Sequence, residues 1–258
     1  MSLELIVFFA IGFLSWFLGS VAAGGAGLIF FIGASFFLPL SSIPIILAVV
    51  GSISGVYRLY LYRASINFDI AKWLLGGTVP GTIIGTNVFA SLLQESQIYI
   101  IELILAIILV SSGLYGLFKS GIAKFNARNI YFLPFSFITS IISSIIGVGS
   151  PLINVLFQKT ELSPVEIVGT KSFSNFILQF SKLILYAIVL DYETVAKSAS
   201  SLALSDFLTI LAIASMGAIA GSYYSRKYLD RLDVKKFNWI INTSLIIFGF
   251  YFLMQSIM

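Results

Sequence analysis

The chain contains no cysteine and no histidine. Their absence excludes disulfides, thiolate chemistry, histidine ligation of haem, and the ordinary zinc and copper centres. Charge is also scarce, with 15 Lys and Arg against 11 Asp and Glu in 258 residues, or 10% of the chain. A soluble domain carries roughly a quarter of its residues as charged side chains, so that class is excluded. With so few carboxylates and no imidazole there is little acid–base machinery, which argues against an enzyme. The small excess of base does not point to nucleic acid. No nucleotide-binding glycine motif is present, so ATP is not expected to drive the chain.

Apolar residues dominate what remains: 59% of the chain is hydrophobic and the mean hydropathy is +1.02. These values read as a polytopic membrane protein. The first apolar stretch is expected to stay in the protein, because Met1-Ser2-Leu3-Glu4 lacks the basic start of a signal peptide. A spanning helix needs about 20 mostly apolar residues. Long candidates lie at Ser42–Tyr62, Ile70–Leu93, Ile98–Phe118, Pro164–Leu190, Ser201–Tyr224 and Phe237–Met258. None shows the alternation of barrel strands, so an all-α bundle is expected.

Two further regions are broken by glycine. Glu4–Ser20 stops at Ala22-Ala23-Gly24-Gly25-Ala26-Gly27 before Leu28–Leu40 resumes, and Asn129–Ile146 stops at Gly147-Val148-Gly149-Ser150-Pro151 before Leu152–Phe157. The two halves can be laid over each other. Gly25 matches Gly149, Ser42 matches Ser163, and Gly81…Gly85 matches Gly217…Gly221, the last pair in the small-xxx-small form that brings helices close. The expected organisation is one integrated membrane domain of two related halves, 1–120 and 121–258. Each half is a broken hairpin followed by three membrane helices.

Basic residues, which collect on cytoplasmic loops, bear on how the breaks run. If both broken segments cross the membrane, six loop bases fall on each side. If each enters and leaves by the same face, then Arg63, Lys72, Lys119, Lys124, Arg128, Lys159, Arg226, Lys227, Arg231, Lys235 and Lys236 share one side, and only Lys197 lies opposite. The charge rule favours the second arrangement, in which the halves are inverted and both termini lie outside.

Matched breaks in two halves point to a transporter's binding site. Exposed helix N-termini there favour an anion. The expected site comprises Gly24, Gly25, Gly27, Gly149 and Ser150 at the breaks, with Thr170, Lys171, Ser172 and Asn175 on the unusually polar helix after Ser163. Ser54, Arg58 and Gln179 are further candidates. Lys171 lies deep enough to be functional by default, though its stem also permits snorkelling to the surface. Snorkelling beside Arg63 is the expected fate of Arg58. No metal or cofactor is expected.

The glycine breaks, the Leu162-Ser163-Pro164 turn before Val168-Gly169-Thr170-Lys171-Ser172, and the basic 226–236 loop together resemble the TauE/SafE family of sulfite exporters. The family's glycine-rich pattern departs here at Ser150 and Pro151 and at Ala23 and Ala26. The resemblance covers nearly the whole chain. It implies a secondary transporter in the cytoplasmic membrane of a prokaryote, moving small sulfur-containing anions such as sulfite, thiosulfate or sulfonates. An anion channel, or a carrier of carboxylates without sulfur, are the alternatives. Coupling to a proton or sodium ion, the direction of transport, and the choice between monomer and homodimer stay open.

Overall fold

The computed structural model describes residues 2–21, 26–94, 98–117, 129–147, 153, 156–157, 160–190 and 204–228. It also describes residues 239, 243, 246–247, 249–250 and 253–254. The described residues form helices and turns with no strand. Eight helices are α1 (Ser2–Val21), α2 (Ala26–Ser35), α3 (Ile43–Tyr62), α4 (Phe68–Gln94), α5 (Ile98–Leu117), α6 (Phe132–Ile146), α7 (Pro164–Val189) and α8 (Leu204–Tyr228). Among the described residues, four stretches are long and apolar enough to cross a membrane: Ile43–Ser65, Asn129–Ile146, Val165–Val189 and Ser205–Lys227. The chain is a multi-pass membrane protein. A further helical segment meets α5, since a side chain at Gly249 would touch Val110 and Ala106.

The first glycine break is a reversal of direction. Phe8 meets Phe37, Trp16 meets Phe30, and Gly19 lies against Ala26. As α1 advances its partner recedes, so α1 and α2 form an antiparallel helical hairpin. At 10 residues, α2 is only about 15 Å long, half the hydrocarbon thickness. The second break behaves alike. By length, Asn129–Ile146 could cross a bilayer, but Phe132 at the start of α6 packs 4.9 Å from Phe157 beyond the break. The chain has therefore come back. Gly147 begins that return with φ 82°, a left-handed conformation that glycine adopts without strain, and its N–H caps Ser143 O at 2.9 Å.

Helix pairing is exchanged between the halves. α1 packs on α8, α6 packs on α4, and α3 packs on α7. Glycines set the closeness of the first two pairs. A Cβ at Gly217 or Gly221 would strike the carbonyls of Phe9 or Phe13, and one at Gly77, Gly81 or Gly85 those of Leu133, Phe137 or Ile141. Both series rise together, so both pairs are parallel. The α3–α7 pair runs the other way: Gly51 faces Gln179, Gly55 faces Phe176, and Gly169 faces Ser65. Gly221→Leu would drive four carbons into the α1 backbone. A loss of about 1–3 kcal/mol is expected from overpacking, read as a lower melting temperature in detergent; an unchanged value would refute the close contact.

These pairings gather several loops at one end of the bundle. Asn67 N–H donates to Thr170 Oγ1 at 2.9 Å, tying the α3–α4 turn to the start of α7. Arg226, at the end of α8, lies over the Tyr62 ring at 5.3 Å. α7 starts there with a capping box: Ser163 and Glu166 bond each other's backbone N–H, and Pro164 fills the first turn.

Candidate functional site

The inner ends of the two hairpins meet on α3 and α7. A Cβ at Gly147, beyond α6, would touch Leu47 and Pro44 of α3. The start of α2 and the end of α6 enclose a cavity of about 50 Å³. That is room for a solute of few atoms, since a drug-sized pocket takes about 300 Å³ or more. Its lining includes Trp16 and Gly19 of α1, Ala26 and Gly27 of α2, Arg58 of α3, Ser143 and Gly147 at the end of α6, and Lys171, Asn175 and Gln179 of α7.

The helix period brings the polar lining together. Lys171, Asn175 and Gln179 recur every fourth residue, so they form one stripe on α7. The antiparallel α3 presents Arg58 to the same space. Gly51 makes this fit, because any Cβ there would overlap Gln179 Cγ at 2.7 Å. Arg58 is 9% exposed, and its Nε has no hydrogen-bond partner among the described residues; nor has Gln179 Oε1. The expected snorkelling of Arg58 is therefore corrected: antiparallel packing on α7 holds the guanidinium inside. Lys171 Nζ lies 6.0 Å from the Phe157 ring centroid.

Other expected residues turn away. Thr170 is fully buried, and its hydroxyl accepts from Asn67 N–H. Ser172 donates to Val168 O at 2.6 Å and Ser54 to Val50 O at 2.7 Å, each bonding its own helix one turn back. None of these three lines the cavity. Gly27 does, while Gly24, Gly25, Gly149 and Ser150 lie outside the described residues.

Lys182 was not expected. It is fully buried in α7 and donates from Nζ to Ser143 O at 3.0 Å. Tyr186, one turn on, donates to Ser144 O. A helix C-terminus carries partial negative charge and orphan carbonyls, and these two side chains cover it at the end of α6. The cavity thus sees the positive end of α2, while the negative end of α6 is screened. A mid-helix lysine in an apolar segment is the sequence signal that marks Lys182.

The space is rich in donors, and among the described residues no Asp or Glu lines it. Such an arrangement suits a small anion. A family model, described as sulfite exporter TauE/SafE, matches residues 8–252. The chain belongs to the TauE/SafE sulfite exporter family. Membership makes it a membrane transporter of the sulfite-exporter type, with a small anion as cargo and lipid as surroundings. No curated protein and no solved structure matches the chain. In this TauE/SafE protein the helices after each break, α3 and α7, supply the charged and amide groups.

Proposed function

We propose that this TauE/SafE protein is a secondary transporter that carries a small sulfur oxyanion or short sulfonate across the cytoplasmic membrane by alternating access. One observation carries this reading. Arg58 and Lys171, with the amides of Asn175 and Gln179, line a small buried cavity at the start of α2, and no carboxylate among the described residues competes there. The Arg58 guanidinium is buried with its Nε unpaired among the described residues; a cation so placed is costly without a counter-ion, and a bound oxyanion supplies one. Arg58 offers a planar fork suited to two oxygens, Lys171 a point charge, and Gly27 an approach to the α2 N-terminus without a Cβ. Gly24, Gly25, Gly149 and Ser150 complete the proposed tips.

The two halves are proposed to be inverted repeats with re-entrant hairpins. The reversal at each break, the exchanged pairings of α1 with α8 and α6 with α4, and antiparallel α3 and α7 all favour it. Arg63, Lys72 and Arg226 then face the cytoplasm, and both termini lie outside. The native absence of cysteine allows a direct test. Single thiols in Lys72→Cys and Lys227→Cys are expected to react with an impermeant reagent from the same face. Labelling from opposite faces would replace the hairpins with full crossings.

The function itself is tested in proteoliposomes with sulfite, thiosulfate, sulfoacetate, sulfate and carboxylates. Saturable uptake of a sulfur anion, accelerated by the same anion on the far side, is expected of a carrier. Uptake without trans-acceleration would make the protein a channel. Preference for a carboxylate would overturn the sulfur assignment.

A further inference from the structure

Tyr62 is a buried polar residue that the proposed site does not use. It ends α3, is 1% exposed, and its hydroxyl has no hydrogen-bond partner among the described residues. Such an orphan is unusual, because nearly every buried polar atom finds a partner. Tyr62 stands four residues after Arg58, so the two share a face of α3. Helical side chains lean toward the N-terminus of their helix. Tyr62 therefore leans back toward Arg58 and the cavity that Arg58 lines.

Tyr62 does not line that cavity itself; it stands one turn beyond its edge. Two neighbours locate the edge. Val168 lines the cavity, and a Cβ on the next residue, Gly169, would come 3.2 Å from Tyr62 O. On α8, Gly217 meets Phe9 and Gly221 meets Phe13. At the same register Arg226 comes level with Leu18, next to Gly19 of the lining. The Arg226 guanidinium lies 5.3 Å from the Tyr62 ring centroid, within cation–π range. Arg226 is exposed and has no carboxylate partner among the described residues, whereas Lys72 at the same end of the bundle is held by Asp69 at 3.0 Å. The order inward is thus an exposed cation, a buried ring with an unspent hydroxyl, and the buried Arg58.

We propose that Tyr62 is the gate between the cavity and the end of the bundle that carries Arg63, Lys72 and Arg226. Arg226 holds the ring over the mouth. An anion arriving at Arg226 competes with the ring for the guanidinium, so the cargo itself loosens the gate. The freed hydroxyl then donates to an oxyanion oxygen on its way to or from Arg58. The inference rests on the anion-carrier reading for its cargo, and it adds the route by which that cargo reaches the cavity.

The native lack of cysteine again supplies the test. A single thiol in Val168→Cys stands in the cavity wall, and an impermeant thiol reagent is applied to the face that labels Lys72→Cys. Labelling is expected to be slow with Tyr62 in place and about tenfold faster with Tyr62→Ala, which removes the ring. Arg226→Gln, an exposed change that leaves the core intact, is expected to speed it about fivefold by loss of the cation–π contact. Tyr62→Phe keeps the ring, so labelling stays slow, while sulfite uptake in proteoliposomes falls about tenfold with the lost hydroxyl. Equal labelling with Tyr62→Ala, Arg226→Gln and neither would overturn the gate. Native uptake by Tyr62→Phe would overturn the part given to the hydroxyl. Labelling needs no cargo, so faster labelling with no sulfite uptake by any of these proteins would sustain the gate and overturn the anion-carrier reading.

Discussion

Lys171→Met is expected to reduce sulfite affinity and uptake by about a hundredfold while costing little stability. The two effects separate because of where the lysine stands. It lines the cavity at the start of α2 where the ion is proposed to sit. A charged hydrogen bond contributes about 1.5–3 kcal/mol, and a factor of one hundred corresponds to about 2.7 kcal/mol. Lys171 is half-buried, so an apolar side chain of similar length is accommodated at a cost of about 1 kcal/mol or less. Uptake in proteoliposomes and the melting temperature in detergent measure the two. Uptake at the native rate would take Lys171 out of the site. A collapse of the melting temperature would make its role structural.

Lys182→Met is expected to lower both stability and affinity, and that joint loss distinguishes it from Lys171→Met. Its ammonium lies on Ser143 O, which otherwise receives only the Gly147 N–H in the described structure. Removing a donor from a buried carbonyl costs about 1–3 kcal/mol. The same substitution uncovers the negative end of α6 beside the cavity, because Ser143 lines it. A loss of several degrees in melting temperature is expected, with anion affinity reduced about tenfold. Lys182→Arg is expected to retain more of both, since it keeps the charge. Unchanged affinity in Lys182→Met would confine the residue to holding the hairpin. Unchanged stability would remove even that role.

The helices and their breaks were legible in the sequence because lipid enforces a simple rule. Backbone polar groups must be paired inside each segment, so crossings are long apolar runs and interruptions stand out. Ser42, Ser163 and the glycines at 147, 217 and 221 marked turns or contacts that the structure contains. The chemistry of the site was legible only in part. Lys171, Asn175 and Gln179 share a helix face by spacing alone. Ser172 stands between them in sequence yet bonds its own backbone, as a hydroxyl can at any buried position of a helix. Thr170 was claimed by Asn67, 103 residues away in the chain, a partner that no local pattern shows.

The sequence by itself determined that this protein lives in a membrane, that its apolar runs are broken at two matched glycine-rich points, and that its few deep polar groups favour an anion. Those properties follow from composition and local spacing, which act on each segment separately. Only the tertiary structure decided that Arg58 turns inward and that Lys182 screens the end of α6. Each depends on the rotation of one helix against another. That rotation is set by which glycines let two backbones touch, and close packing then leaves each buried side chain one place to go.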